Sequence, residues 1–436
     1  MRHPRTLGSV LLGLSCIGLL LAGGPAAASG FGLFQHDGRG VGQVGALTAR
    51  APDPSAVTYN PAGITALEGL QLEIGVDFNN ATNEYMSATA GTIEAHHVIN
   101  FPPNLYLTYK PKASRWSFGV GIDAPFWYTE NWDPVFFPGR FLNRRFELSL
   151  FELHPVVAYD LGDGWSVGGG VRYDYGTMRQ GDNLFVTALA GGSPLQPVPV
   201  EVVRGEDGKV DAFAYDLAAQ YRTNVWGWGA TYRSASRLSG TGDATYEPRD
   251  VPIDPTIRAQ IATLATSGTA RQSFDLPWEL RSGVWIAPYP ELRLELDVAY
   301  QNWSSIPDTR IVYDPSPSLP QGGAQARITP RDWKNTTSLR LGVEGDLSAE
   351  LTLYGGISYE PSPVRDSNLE PQFPRGDAYV YGAGLTYNFP QLSFDAAYAQ
   401  HMHQDRNLTG QELNPTVPGR YTASDKVWSV SARWRF

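Results

Sequence analysis

The sequence predicts an all-β protein: a fourteen-stranded antiparallel transmembrane β-barrel with an N-terminal hatch, or plug, in its lumen. Three observations carry that expectation. Period-2 alternation of apolar and polar residues fills segments that are long for soluble strands, the connections between them alternate short and long, and the composition suits neither a soluble enzyme nor a helical membrane bundle. Charged residues are 18% of 436, below the roughly 25% of soluble domains, while aromatics reach 12%. Mean hydropathy is −0.26, too polar for a bundle of apolar helices. The formal net charge of −10 opposes a nucleic-acid partner. A single Cys excludes a disulfide framework and a Cys-based metal site.

The first element is a signal peptide, residues 1–28. Arg2 and Arg5 supply a positive start, Leu7 to Leu21 an apolar stretch, and Ala26-Ala27-Ala28 a small-residue cleavage site. Gly13, Ser15 and Gly18 interrupt the run, which is shorter than the about 20 apolar residues of a membrane anchor. The chain remaining from Ser29 holds 32 basic and 44 acidic residues, a net of −12, and no Cys.

The barrel, residues 69–436, follows from alternation. At the C-terminus Trp428, Val430, Ala432, Trp434 and Phe436 interleave with Ser429, Ser431, Arg433 and Arg435, which puts the two sets on opposite faces. Fourteen such segments are read at 69–79, 100–110, 114–126, 146–160, 164–176, 209–222, 224–234, 272–287, 291–303, 333–346, 350–360, 378–389, 391–401 and 425–436. Many run to 10 residues or more, where globular strands centre on about 5–6 and a tilted bilayer strand needs about 9–11. Short turns such as Pro111-Lys112-Ala113 and Pro288-Tyr289-Pro290 alternate with long loops at 80–99, 127–145, 177–208, 235–271, 304–332, 361–377 and 402–424. The physical reason for a barrel is closure: in lipid an open sheet edge leaves backbone groups unsatisfied. Trp116, Tyr109, Tyr159, Tyr173, Tyr175, Trp226, Trp228, Tyr300, Tyr387 and Trp434 fall near strand ends on the apolar face, as interfacial girdles require.

Residues 29–68 do not alternate. Their glycines and the turn-rich Ala51-Pro52-Asp53-Pro54-Ser55 are accompanied by apolar anchors, Phe31, Phe34, Val41, Val44, Val57 and Ile64 among them, more than a disordered tail needs. Pro61 fixes φ and Gly63 tolerates positive φ, so Asn60-Pro61-Ala62-Gly63 reads as a tight turn. With Gly30-Phe31-Gly32-Leu33, the Thr58 to Gly63 motif, Gly119-Val120-Gly121 running to Ala124-Pro125-Phe126, Leu276-Pro277-Trp278-Glu279-Leu280 and Tyr359-Glu360-Pro361, the sequence resembles the FadL/TodX (OMPP1) family of outer-membrane transporters for long-chain fatty acids and other hydrophobic compounds. The resemblance implies a fourteen-stranded barrel whose hatch turn sits beside an inward kink in the third strand, where a gap opens in the wall.

Function is expected to follow that pattern: uptake of a fatty acid or another hydrophobic compound, aromatic hydrocarbons included, with lateral release through the wall gap. Gating is assigned to Asn60, Pro61, Ala62 and Gly63 with Gly119 and Gly121, since glycine inside a strand marks a bulge or close backbone approach. Loops 177–208 and 235–271 carry Leu184, Phe185, Leu189, Ile261 and Leu264, unusually apolar for exposed loops, and are expected to form the ligand entrance. Phe31 and Phe34 are candidate contacts deeper in, and Arg172 and Arg340 candidate partners for a ligand carboxylate. No catalytic residue, cofactor or metal is expected; His401-x-His403 on one strand face is the nearest metal-like pattern and lacks supporting ligands. The expected partners are the hydrophobic ligand, outer-membrane lipids with lipopolysaccharide, and the barrel assembly machinery through the terminal Phe436 of a monomer in the bacterial outer membrane. A general diffusion porin, or a barrel that serves as adhesin or hydrolase, is the alternative.

Overall fold

Alternation becomes geometry as follows in a computed structural model of the chain. The structure describes residues 35–190, 196–249, 254–264, 267–314, 326–410 and 417–436; the signal peptide, Phe31 and Phe34 lie outside the described residues. Among the described residues fourteen antiparallel strands close into one barrel. They are β1 (Gly69–Ser87), β2 (Pro103–Lys110, preceded in line by Val98–Asn100), β3 (Trp116–Asn131), β4 (Arg145–Gly162), β5 (Trp165–Ala190), β6 (Gln196–Arg222) and β7 (Trp226–Arg233, continued by Ser236–Pro248). The circuit goes on with β8 (Gly268–Leu276 and Glu279–Tyr289), β9 (Leu292–Gln301 and Asp308–Asp314), β10 (Ala326–Pro330 and Thr336–Asp346), β11 (Leu351–Glu360), β12 (Ala378–Asn388), β13 (Leu392–His403) and β14 (Gly419–Arg435).

Closure is made by β14 against β1, from Gln71 opposite Arg435 to Met86 opposite Arg420. The Phe436 amide extends the seam by donating to the Leu70 carbonyl at 2.9 Å. Between β4 and β5 the chain reverses over Gly162, Asp163 and Gly164 at φ of 88°, 53° and 85°, left-handed conformations that glycine takes without strain. The lipid-facing residues are the apolar half of the alternation: Leu339, Leu341 and Val343, or Tyr379, Tyr381, Leu385 and Tyr387, are exposed, and the residues between them face the lumen.

Two loops are not loops. Segments 177–208 and 235–271 continue β5, β6, β7 and β8 as strands, paired as far as Ala190 opposite Gln196, with a helix α1 (Pro255–Leu264) added. Segment 304–332 likewise contains strand at both ends. The pattern hides them because its polarity inverts beyond the bilayer. Along β5, Tyr175 faces lipid, but Thr177 and Arg179 face outward above it while Met178 and then Leu184, Val186 and Ala188 turn inward. Trp228 lies on the outward face beside Trp165 and Tyr221, and is buried there among its neighbours with its indole N–H on the Ser282 hydroxyl at 3.0 Å.

Leu341 stands 47% exposed midway along β10 on the lipid face. Leu341→Arg should therefore destabilise the barrel by about 2–4 kcal/mol in denaturant titrations of liposome-refolded protein, whereas Leu341→Phe should not.

Candidate functional site: the hatch and a slit in the wall

Residues 35–68 lie inside the barrel and nearly all are buried. Two short helices, α2 (Gly38–Gly42) and α3 (Ala56–Tyr59), and a 3-10 turn over Pro61–Ala66 make up the hatch. Asp37 caps α2, accepting from the amides of Arg39 and Gly40 at 3.1 and 3.0 Å. The Asn60 turn is built as its residue types suggest: the side-chain oxygen accepts from the Ala62 amide at 3.1 Å, and Pro61 opens the 3-10 turn, where its missing N–H is not needed. Gly63 does not take the expected positive φ; what it supplies is room, since a Cβ there would lie 2.7 Å from the Ala51 methyl. Asn60 also ties the turn outward, donating to the carbonyls of Thr48 at 2.8 Å and of Ala219, on β6, at 3.2 Å.

The wall grips the hatch on every side. Glu295 and Asp297 of β9 accept from the amides of Ala49 and Thr48 at 2.7 and 2.9 Å. Arg222 and Gln220 of β6 donate to the carbonyls of Arg50 and Ala49. Glu344 on β10 pairs with both Arg39 and Arg50. Space is as important as charge: a Cβ on Gly168 would sit 2.8 Å from the Ala62 amide, and on Gly119 or Gly121 2.9–3.0 Å from the Val57 methyls. These glycines of β3 thus let Val57 lie against the wall.

Directly above them β3 is broken. Asp123 faces Glu152 and Phe126 faces Leu150, so three steps on β3 match two on β4, a bulge centred on Ala124-Pro125. The inward face switches from Gly119, Gly121 and Asp123 to Tyr128 and Glu130. On the other edge, pairing with β2 ends at Leu105 opposite Ile122, and the next backbone link is the His96 amide on the Asn131 carbonyl at 2.8 Å. Between these points lies a slit in the wall. A cavity behind it is lined by Asn79, Asn83, Asn100, Trp127, Tyr128, Thr129, His401, Asp425 and the hatch residue Gln35. Asn83 of β1 reaches Glu130 of β3 at 2.6 Å behind the slit, and Arg375 stacks over Tyr128 at 4.7 Å while pairing with Asp425.

The hatch is fastened to this break. Asp123, at the foot of the bulge, accepts from Thr58 of the hatch at 2.7 Å and from Tyr106 of β2 at 2.9 Å, with the His36 ring 3.5 Å away. Burial pushes the His36 imidazole down to about 3, helped by Arg281 and Arg233, so it meets Asp123 as a neutral ring. Burial, with Asp53 and Asp395 nearby, pushes the Asp37 carboxyl up to about 8. The sequence places Thr58 in the hatch motif and Pro125 in the third strand, but it does not show the bond of Thr58 to Asp123 or the Asn83–Glu130 link.

Above the hatch the inward face of β5 reads off the lumen in layers. Gly168 touches the hatch; Arg172 pairs with Glu152 at 3.2 Å; Met178 joins an apolar core with Leu148, Leu150, Phe274, Trp303 and Phe373. Higher, Asp182 pairs with Arg204 and Arg327, and Leu184, Val186 and Ala188 enter a second apolar cluster with Ile261. Arg340 lies near Glu360, 3.8 Å away. Phe185 and Leu189 face outward instead: Phe185 stacks on Phe141 at 4.7 Å, and Gln260 of α1 bonds both backbone groups of Leu189 at 2.8 Å. Leu264 ends α1, and its side chain lies outside the described residues. The two predicted entrance segments therefore close on one another, leaving Phe136, Phe185 and Leu189 exposed.

A closed barrel with a lipid-facing apolar belt, a plugged lumen and a slit beside the plug defines an outer-membrane transport channel. The chain belongs to the outer membrane protein transport protein family (OMPP1/FadL/TodX), whose model matches residues 19–436, and it is an outer-membrane protein. It is 24% identical to outer membrane protein P1 of Haemophilus influenzae over 87% of each chain. It is 22% identical to a long-chain fatty acid transport protein of Escherichia coli, covering 94% of this chain and 93% of that one. Its fold matches a Pseudomonas aeruginosa FadL homologue (TM-score 0.78, 20% identity, 93% and 99% covered) and the P. putida toluene transporter TodX (TM-score 0.71, 14% identity, 93% and 99% covered).

Asn60→Ala removes three hatch hydrogen bonds. It should loosen residues 35–68 by about 1–3 kcal/mol, read as faster amide exchange confined to the hatch with barrel melting unchanged.

Proposed function

We propose that the protein carries long-chain fatty acids or similar hydrophobic compounds into the outer membrane and releases them sideways through the slit beside β3. The single observation that carries this reading is that the hatch is bonded, through Thr58, to the same Asp123 at which the wall is broken. Movement of the hatch and access to the slit are thereby linked. Residues 29–68 act as the hatch of the exported chain, and residues 1–28 as its removed signal peptide.

Capture is assigned to the exposed face formed by Phe136, Phe141, Phe185 and Leu189, and passage to the apolar core around Met178 and Phe274. The driving force is apolar burial. At about 0.8 kcal/mol per methylene, ten methylenes gain about 8 kcal/mol without any polar partner. Arg172 and Arg340 stand next to the acids Glu152 and Glu360, so a ligand carboxylate at either would have to compete with an ionic neighbour already present. The polar cavity behind the slit, with Asn79, Asn83 and Asn100, suits the head of an amphipathic ligand better than a bare hydrocarbon. The relatives' names are those of transporters, and this reading gives no residue a catalytic role. A general diffusion porin would need an open lumen, whereas hatch and layered side chains occupy this one.

The bulge provides the test. Deleting Pro125 alone takes out the one extra residue of the bulge, lets β3 pair onward with β2 and seals the slit. Uptake of labelled oleate and of toluene by cells should fall to the level of cells lacking the protein, with heat-modifiable mobility of the barrel retained. Undiminished uptake would remove the slit from the route.

The same reading makes the protein a monomer among outer-membrane lipids and lipopolysaccharide, assembled through its C-terminal strand. Phe436 is 73% exposed at the end of that strand. Phe436→Asp should lower surface levels several-fold; normal levels would argue against recognition of this terminus by the assembly machinery.

A further inference from the structure

The seam between hatch and wall beside β1 holds more negative charge than its neighbours balance. Asp37 and Asp53 of the hatch and Glu73 of β1 each place a carboxylate oxygen within 4.8 Å of the other two, and all three are buried. Asp53 is compensated: Arg39 Nε lies 3.0 Å and Arg433 Nη1 3.2 Å from one of its oxygens. Asp37 receives neutral donors alone, the amides of α2 and the Tyr59 hydroxyl at 3.2 Å. Glu73 is the separate observation. It has no solvent exposure, and neither of its oxygens accepts a hydrogen bond. Its two lateral neighbours are engaged elsewhere: Tyr106 donates to Asp123, and Arg433 serves Asp53 and Asp395.

Four carboxylates, Asp37, Asp53, Glu73 and Asp395, therefore face two guanidiniums, and Arg39 is shared with a fifth acid, Glu344. A buried carboxylate without a partner costs several kcal/mol and does not persist uncompensated. We propose that this seam binds one divalent metal cation, calcium in preference to magnesium, through Asp37, Asp53 and Glu73. The missing charge is two units, and the donors are all hard oxygens. Calcium takes oxygens at about 2.3–2.6 Å, so ligands on opposite sides of it stand up to about 5 Å apart, a span that accommodates all three carboxylates; magnesium, at about 2.1 Å, would draw them closer. The cation would pin the start of the hatch to the closing seam of the barrel, two residues from Gln35 at the slit cavity.

The measurement uses the full-length protein in detergent, stripped with EDTA and dialysed to equilibrium against calcium at pH 7.5. The expected result is one calcium per chain, a melting temperature raised by calcium and lowered by EDTA, and weaker binding at pH 6, where protons compete for the carboxylates. Glu73→Gln keeps the shape and removes the charge, and should bind at least tenfold more weakly without a calcium-dependent melting shift. Calcium carried by co-purified lipopolysaccharide would be equal in the two proteins, and equal binding overturns the proposal. So does a wild-type chain that binds no stoichiometric calcium or magnesium; stability that then responds to pH alone would assign the balance to shared protons. Should Glu73→Gln not fold, the wild-type stoichiometry and Asp37→Asn decide.

Discussion

Every backbone amide and carbonyl in hydrocarbon must be bonded within the protein, and the rest of this structure depends on that constraint. It forces closure of β14 on β1 and makes any break in the ladder an exception needing local compensation. The break between β2 and β3 is compensated by chemistry at its margins. Pro125, at the bulge, has no N–H to leave unsatisfied, the His96 amide restores the link at Asn131, and the cavity behind supplies Asn79, Asn83 and Asn100. A slit in a bilayer-facing wall is tolerated only where it opens on such a polar recess.

Closure also creates a lumen, and its filling sets the character of the interior. Inward positions cannot be uniformly apolar, or the strands would lose the alternation that defines their faces; they cannot be uniformly charged, because burial demands partners. The chain solves this by layers, ionic around Arg172 and Glu152, apolar around Met178 and Phe274, ionic again at Asp182, then apolar at Val186. Most acids meet a guanidinium or a hatch amide. Among the described residues Glu73 and Asp174 are the exceptions, each buried with neither carboxylate oxygen accepting a hydrogen bond, and of the two Glu73 alone lies beside two hatch carboxylates.

Strand number, faces and closure were legible in the sequence because the bilayer imposes one rule on every spanning residue: apolar side out. That rule lapses above the membrane, so the extensions of β5 to β8 read as apolar loops in the sequence although Leu184, Val186 and Ala188 keep strict alternation there. The Asn60 turn and the small inward residues Gly119 and Gly121 were also legible, since their chemistry is local. The contact of Thr58 with Asp123 joins residues 65 positions apart, and the seam of Asp37, Asp53 and Glu73 is assembled from three separate segments. No periodicity reports such meetings; the closed barrel alone brings them together.

Transport through a plugged channel requires the plug's attachments to be unequal. Those to β6, β9 and β10 run through several backbone groups of Thr48 to Arg50 at once, together with the Glu344 pairs, and releasing them would mean exposing a row of donors and acceptors. The attachment at the slit is lighter: the Thr58 hydroxyl on the Asp123 carboxylate and the Thr231 hydroxyl on the Tyr59 carbonyl, with a neutral His36 ring beside them and the Val57 methyls against glycine. Two neutral hydroxyl donors together contribute a few kcal/mol at most, less than burying a long acyl chain returns. On the proposed route, the free energy of ligand capture would suffice to move α3 off Asp123 while the rest of the hatch stays fixed. Local displacement at the slit, rather than ejection of the plug, is the motion this distribution of contacts favours, and it keeps the wide lumen closed to water-soluble molecules during transport.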